Sequence, residues 1–132
     1  MQVRVRKAVL KLRRPFITSA WTLHFREVLL LELVDAETGA HAWGEAAPLP
    51  GFGTETYDAA VAALHDAATQ LHHMPAMEIH AERIIAAVPS LLSAPCARFA
   101  VECACLDLEA QQLPLPLAKI LNPQGFSMRV LV

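Results

Sequence analysis

Ala42-Trp43-Gly44-Glu45-Ala46-Ala47-Pro48-Leu49-Pro50-Gly51-Phe52-Gly53-Thr54-Glu55-Thr56 is the stretch on which the fold turns. It begins as a strand, breaks at Pro48 and passes through a Pro/Gly loop into a helix start. Pro48 and Pro50 remove ladder donors, and Gly51 and Gly53 weaken any strand, so the backbone must leave the sheet here. The pattern predicts Thr54 as the cap of the next helix, with Glu55 and Asp58 favourable in its first turn. Leu49 and Phe52 stand at the tip of this constrained loop. Such a tip is shaped to meet another surface.

Upstream of this stretch the pattern has period two. Gln2 to Leu12 places Val3, Val5 and later Val9 or Leu10 on one side and Arg4, Arg6 and Lys11 on the other, which predicts a strand. Arg13 to Trp21 reads as a loop broken at Pro15, with Phe16 and Trp21 as exposed aromatics. Thr22 to Val34 is a second strand, and its Val28–Val34 portion is too apolar to be wetted on one face. Asp35 to Gly39 is a turn in which Gly39 supplies a positive φ. Ala40 to Ala46 is the third strand, completing an antiparallel meander.

Downstream the period becomes helical. Thr56 to Leu71 sets Tyr57, Val61, Leu64, Ala68 and Leu71 on one stripe, with Asp58, His65 and Asp66 outside it. A second helix is predicted over Met77 to Val88, with Met77, Ala81, Ile84, Ile85 and Val88 inward and Pro89 ending it. Ser93 is expected to cap a third helix that admits Pro95 in its first turn and runs to about Gln111. Phe99, Cys103, Leu106 and Ala110 line one of its faces, and Val101, Cys105 and Leu108 another. Arg98 and Glu102 are spaced to pair. A helix apolar on nearly every side is expected to be buried on every side, part of it against a partner domain. Leu113 to Leu121 reads as a short turn or helix, Asn122 to Ser127 as a loop, and Met128 to Val132 as the start of a strand.

Composition narrows the classes. At 132 residues the chain fits one domain able to bury a core. Its hydrophobic share of 55% exceeds the usual ~45–50%, and its 18% charged residues fall below the usual ~25%. That excess points to surface hidden beyond the chain's own core. A net charge of −2 argues against a nucleic-acid module. No apolar run approaches the ~20 residues that span a bilayer, and charges interrupt any signal-peptide core, so a cytoplasmic location is expected. The three cysteines, Cys96, Cys103 and Cys105, fit neither a disulfide framework nor zinc spacing and read as reduced, buried thiols.

The ordered set of motifs resembles the N-terminal capping domain of the enolase superfamily. Pro15-Phe16-x-Thr18-Ser19 resembles its first specificity loop, and Arg26 to Leu33 its second strand. Trp43 to Thr56 resembles the third strand with the second specificity loop. Ala97-x-x-Ala100-Val101-Glu102-x-Ala104-x-x-Asp107-Leu108-x-Ala110 is similar to the long helix, and Leu115-Pro116-Leu117 to the approach to a barrel. Pro48-Leu49-Pro50-Gly51-Phe52 points within the superfamily to o-succinylbenzoate synthase, in the muconate-lactonizing-enzyme subgroup. N-acylamino acid racemases share the first loop, and dipeptide epimerases and muconate cycloisomerases carry similar domains. The chain departs from the pattern at Trp21, where related sequences usually carry glycine and where an indole would reshape the loop. Leu113 also lies near a position where a glycine is usual.

The resemblance implies an α+β fold, a three-stranded meander followed by a helical bundle, with the (β/α)-barrel absent. Residues 1–121 would be the cap, and 122–132 a linker and the start of the barrel's first strand. In the family a barrel lysine abstracts a proton α to a carboxylate, and Mg²⁺ held by three acids stabilises the enediolate. Beyond Lys11 this sequence has only Lys119 and no Lys-x-Lys. It would supply no catalytic residue and no metal ligand. Its contribution would be substrate contacts from Phe16, Thr18, Ser19, Trp21, Leu49 and Phe52. The barrel would be its partner, with self-association through exposed apolar surface a further expectation. A freestanding, non-catalytic binding or oligomerisation module is the reading from another class.

Other residues invite chemistry more weakly. Glu45 lies in a strand, where a structural hydrogen-bonding role is expected. Gly51-Phe52-Gly53 before a helix resembles an anion site, but loop geometry explains it. His65, His72, His73 and His80 lack consistent ligand spacing and read as solvated. Glu102, Asp107 and Glu109 do not share one helix face and read as edge charges.

Overall fold

The computed structural model describes residues 1–113 and 115–125; the strand start expected at Met128–Val132 lies outside them. Three strands, β1 (Gln2–Ile17), β2 (Thr22–Val34) and β3 (His41–Ala46), form one antiparallel sheet in the order β1-β2-β3. Val3 pairs with Leu33, Val5 with Leu31, and Leu31 in turn with Gly44, so the alternating apolar positions share one face. The turn between β2 and β3 is locked by Asp35, whose carboxylate accepts from Glu37 N at 3.1 Å and Thr38 Oγ1 at 2.6 Å. Gly39 there has φ 74°.

β1 is longer than its alternation suggests. It continues through Arg13-Arg14-Pro15 to Ile17, with its register shifting between Lys11 and Phe16. As an edge strand it can carry a proline whose missing donor no neighbour requires. The expected Arg13–Trp21 loop therefore shrinks to a reversal at Thr18–Trp21.

The helical layer comprises α1 (Tyr57–His72), α2 (Ala81–Ala87), α3 (Pro95–Gln112) and α4 (Leu117–Leu121). The cap of α1 is Thr56, which accepts from Ala59 N at 3.2 Å, and not Thr54. α2 is shorter than expected. Ala76–Glu78 forms a separate 3-10 turn, Ile79 is extended, and Met77 is exposed. On α1 the buried line is Ala60, Ala63, Leu64, Ala67 and Leu71, so the expected stripe is rotated; Tyr57, Val61 and Ala68 sit at its half-buried margin.

Small side chains bring α3 onto the sheet. Ala42, Gly44 and Ala46 of β3 meet Ala97, Ala100 and Ala104 in a buried layer under Leu29, Leu31 and Leu33. A Cβ on Gly44 would lie 1.9 Å from the Ala100 carbonyl oxygen. No side chain fits there. At the β3 edge, Trp43 N donates to Asp107 Oδ2 at 2.9 Å and Gln111 Nε2 to the His41 carbonyl at 2.8 Å. Two α3 side chains thus occupy an edge otherwise open to pairing. As its all-round apolar pattern anticipates in so small a domain, α3 is covered by this chain on only part of its surface. Phe99 is 60% exposed, with Cys103 and Leu106 half-buried beside it, because the small sheet reaches only one face of the helix.

Candidate functional site

Two loops meet at one end of the sheet. The first, Thr18–Trp21, is closed by its own side chain. Thr18 Oγ1 accepts from Trp21 N at 3.0 Å and Ala20 N at 3.3 Å and donates to the Trp21 carbonyl. The second follows β3. It contains a 3-10 turn over Pro50–Phe52 that ends at Gly53, where φ is 83°. Thr54 fastens this loop: its hydroxyl accepts from Leu49 N at 2.6 Å. Arg26 Nη2 adds a hydrogen bond to the Ala47 carbonyl at 2.7 Å.

Trp21 joins the loops. Its ring lies 5.9 Å from Phe16 and 5.2 Å from Phe52, the latter edge-on at 77°. Such offset and edge-to-face arrangements are favourable for aromatic pairs. The indole rests on Gly51, where an added Cβ would come 2.9 Å from Nε1. Phe16 and Phe52 are nonetheless more than half exposed, and Ile17 beside them is 71% exposed. The indole packs between the two loops.

The other candidate residues separate from this cluster. Leu49 faces a cavity of about 280 Å³ bounded by Leu23, Phe25, Arg26, Pro48 and Tyr57. Beside it Lys7 pairs with Glu27 and lies 4.8 Å from the Tyr57 ring centre. The Glu27 hydrogen bond raises the Lys7 pKa above its usual value. Thr18 serves the backbone of its own turn, and Ser19 is exposed within it.

The structure also moves the carboxylate roles. Glu45 is exposed and, among the described residues, its side chain makes no hydrogen bond. It faces the open side of the sheet. Glu55, expected in the first turn of α1, turns instead to the start of α3. Its carboxylate accepts from Cys96 N at 3.2 Å and Ala97 N at 2.9 Å. The cap position of α3 is Ala94, which offers no side-chain acceptor, while Ser93 donates to the Ser90 carbonyl. A buried carboxylate from across the domain thus replaces the expected Ser93 cap. It meets both the unpaired donors and the positive end of the helix. An acid just before one helix carries no local sign that it serves another.

Glu32, also missed, is buried on the outer sheet face among Arg4 Nη1 at 3.2 Å, Arg6 Nη2 at 3.1 Å and His41 Nδ1 at 3.0 Å. Burial works to raise its pKa. Hydrogen bonds from His41 and Arg4, with the charges of Arg4 and Arg6, outweigh that and hold it below the usual value. The alternation of Arg4 and Arg6 opposite a lone acid in an apolar strand was the available signal. His65, His72, His73 and His80 are all exposed. Among the described residues no group of three or more His, Cys, Asp or Glu converges to hold a metal ion, so this donor set does not fit Mg²⁺. Nor is any described helix long and apolar enough to cross a membrane.

Residues 2–108 match the family model described as MenC, N-terminal domain. The chain belongs to the MenC N-terminal domain family. This MenC-type domain is a capping domain of the enolase superfamily, and the three-stranded meander with its helices is that fold. No curated protein sequence matches it. Among solved structures it resembles the dipeptide epimerase from Methylococcus capsulatus complexed with Mg and L-Arg-D-Lys: 32% identity, 91% of this chain, 34% of that one, TM-score 0.78. The dipeptide epimerase from Enterococcus faecalis V583, complexed with Mg and L-Leu-L-Tyr, is 26% identical over 91% of this chain and 33% of its own, with TM-score 0.79. The substrate-liganded L-Ala-D/L-Glu epimerase from Bacillus subtilis is 27% identical over 92% and 33%, with TM-score 0.76. The MenC-type chain therefore spans about a third of the length of these enzymes.

Proposed function

We propose that this domain caps an o-succinylbenzoate synthase-like enzyme, a Mg²⁺-dependent dehydratase of menaquinone biosynthesis acting by proton abstraction α to a carboxylate. The observation that carries the proposal is the MenC match over residues 2–108. The two loops give it a physical form. An aromatic lip of Phe16, Trp21 and Phe52, flanked by the Thr18–Ser19 turn and by Leu49 at the neighbouring cavity, contributes substrate contacts and excludes water, as lids do. The base and the Mg²⁺ ligands belong to a barrel partner that follows residues 1–121, with residues 122–132 leading into it. The uncovered Phe99 face of α3 suits a partner surface of this kind, or a second copy. The compartment is the cytoplasm.

The resemblance to solved dipeptide epimerases favours a second reading, a cap for an epimerase or racemase acting on amino-acid derivatives. The protein carrying its barrel decides between them. With Mg²⁺ it should form o-succinylbenzoate; epimerisation of dipeptides or racemisation of N-acylamino acids without that product overturns the first reading. The present chain by itself should turn over neither, having no candidate base within the loops.

A further inference from the structure

Position 51 presents a contradiction. Among the glycines described, positive φ occurs at Gly39 and Gly53 but not at Gly51. The backbone at 51 would therefore accept an L side chain, and alanine would ordinarily help by restricting the unfolded chain. What excludes it is a neighbour. A Cβ would stand 2.9 Å from Trp21 Nε1, 3.5 Å from Cε2 and 3.6 Å from Cδ1, so the five-membered ring of the indole occupies that space. The same indole packs against Phe16 on its own side and Phe52 on the other.

Each loop also closes internally. Thr18 N donates to the Trp21 carbonyl at 2.9 Å, Phe52 N to the Leu49 carbonyl at 2.8 Å, and Gly53 N to the Pro50 carbonyl at 3.0 Å. The indole is a contact that bridges two internally closed turns, in addition to the Arg26 hydrogen bond that ties the second loop to β2.

We propose that Trp21 is a positioning residue that latches the two loops into a single lip, with Gly51 as the seat of the latch. The loops then open together, and Phe16 and Phe52 keep a preset relation to each other. The latch is a property of this chain; its consequence for substrate choice rests on the capping role proposed above. Glycine at position 21 would leave two loops free to adjust separately, whereas tryptophan presents one shape in advance.

Hydrogen exchange on the full chain tests this. In Trp21→Ala the amides of Phe52 and Gly53 should exchange faster, on the order of 2- to 10-fold, although neither bonds to Trp21. Acceleration confined to Thr18–Trp21 overturns the proposal. A cycle with Gly51→Ala supplies the second readout and does not depend on Trp21→Ala folding well. Gly51→Ala should lower the denaturation midpoint and loosen the Thr18 amide while Trp21 is present. In a Trp21→Leu background, which keeps an apolar side chain but removes the ring atoms nearest Gly51, the same change should be neutral or stabilising. An equal loss in both backgrounds shows that the indole is not seated there and refutes the latch. Either failure leaves the capping role intact, because both measurements are made without substrate or barrel.

Discussion

Gly44→Ala is the smallest change with a large expected effect. The added Cβ would fall 1.9 Å from the Ala100 carbonyl oxygen, 2.7 Å from its carbon and 3.0 Å from Cα, all of them backbone atoms of α3. An ordinary carbon–oxygen contact needs about 3.2 Å or more, so helix and strand must part by over about 1 Å. No rotamer can relieve this, and the surrounding layer of Ala42, Ala46, Ala97 and Ala104 would lose contact together. Overpacking of well-filled cores typically destabilises by about 1–3 kcal/mol, and a rigid backbone obstacle belongs at the upper end. Restricting the unfolded chain returns about 0.4–1 kcal/mol. The net is a loss of about 2 kcal/mol, or roughly thirtyfold in the unfolding constant. Urea unfolding followed by tryptophan fluorescence should show the midpoint falling by about 1 M at unchanged slope. Gly39→Ala is the control. It has open space around its Cβ, so only its φ of 74° is strained, and a smaller loss is expected. A Gly44→Ala midpoint equal to or above that of the parent would refute the close α3–β3 packing.

Removing the remote cap, Glu55→Ala, should destabilise by about 2 kcal/mol, with Glu55→Gln losing less; the two variants are compared by thermal unfolding. Acid should weaken the fold through Glu32 and Asp35. Asp35 is held below its usual pKa first by the Thr38 hydroxyl and then by the Glu37 amide, while Glu32 is held low by His41, Arg4 and Arg6 against burial. A carboxylate with a lowered folded-state pKa stabilises fully above its unfolded value. That stability is lost as pH falls from about 4.5 through the folded value. Glu32→Gln should therefore flatten the acid limb of a stability–pH curve, and an unchanged limb would remove Glu32 from the account. Burial, with a smaller push from the Glu102 charge, raises the Cys105 thiol to about 12. At pH 8 Cys105 should resist alkylation in the folded chain and react once urea unfolds it, as mass spectrometry of the labelled peptides would show.

Much of the architecture was legible locally. The alternation of Val3 and Val5 with Arg4 and Arg6, the apolar run Val28–Val34, the Asp35–Gly39 turn and the Pro48–Gly53 break each depend on backbone sterics and burial within a few residues. These signals survive in a one-dimensional string. The loop pair was legible too, as two parts of one lid, but not the contact that joins them. Nothing near Trp21 indicates that its ring reaches Gly51 and Phe52.

The sequence by itself determined the meander, the succession to helices and the family pattern, because strand period, helix period and turn chemistry are short-range properties. Tertiary structure decided where β1 ends, since a proline is tolerated only once the strand is known to lie at an edge. It decided that Thr56 and not Thr54 caps α1 and that Glu55 rather than Ser93 caps α3. The Thr56 cap is a local choice, since Thr54 is held by Leu49 N; the others depend on which distant group arrives at a given donor or edge. That is set by how the layers pack, and spacing along the chain does not encode it.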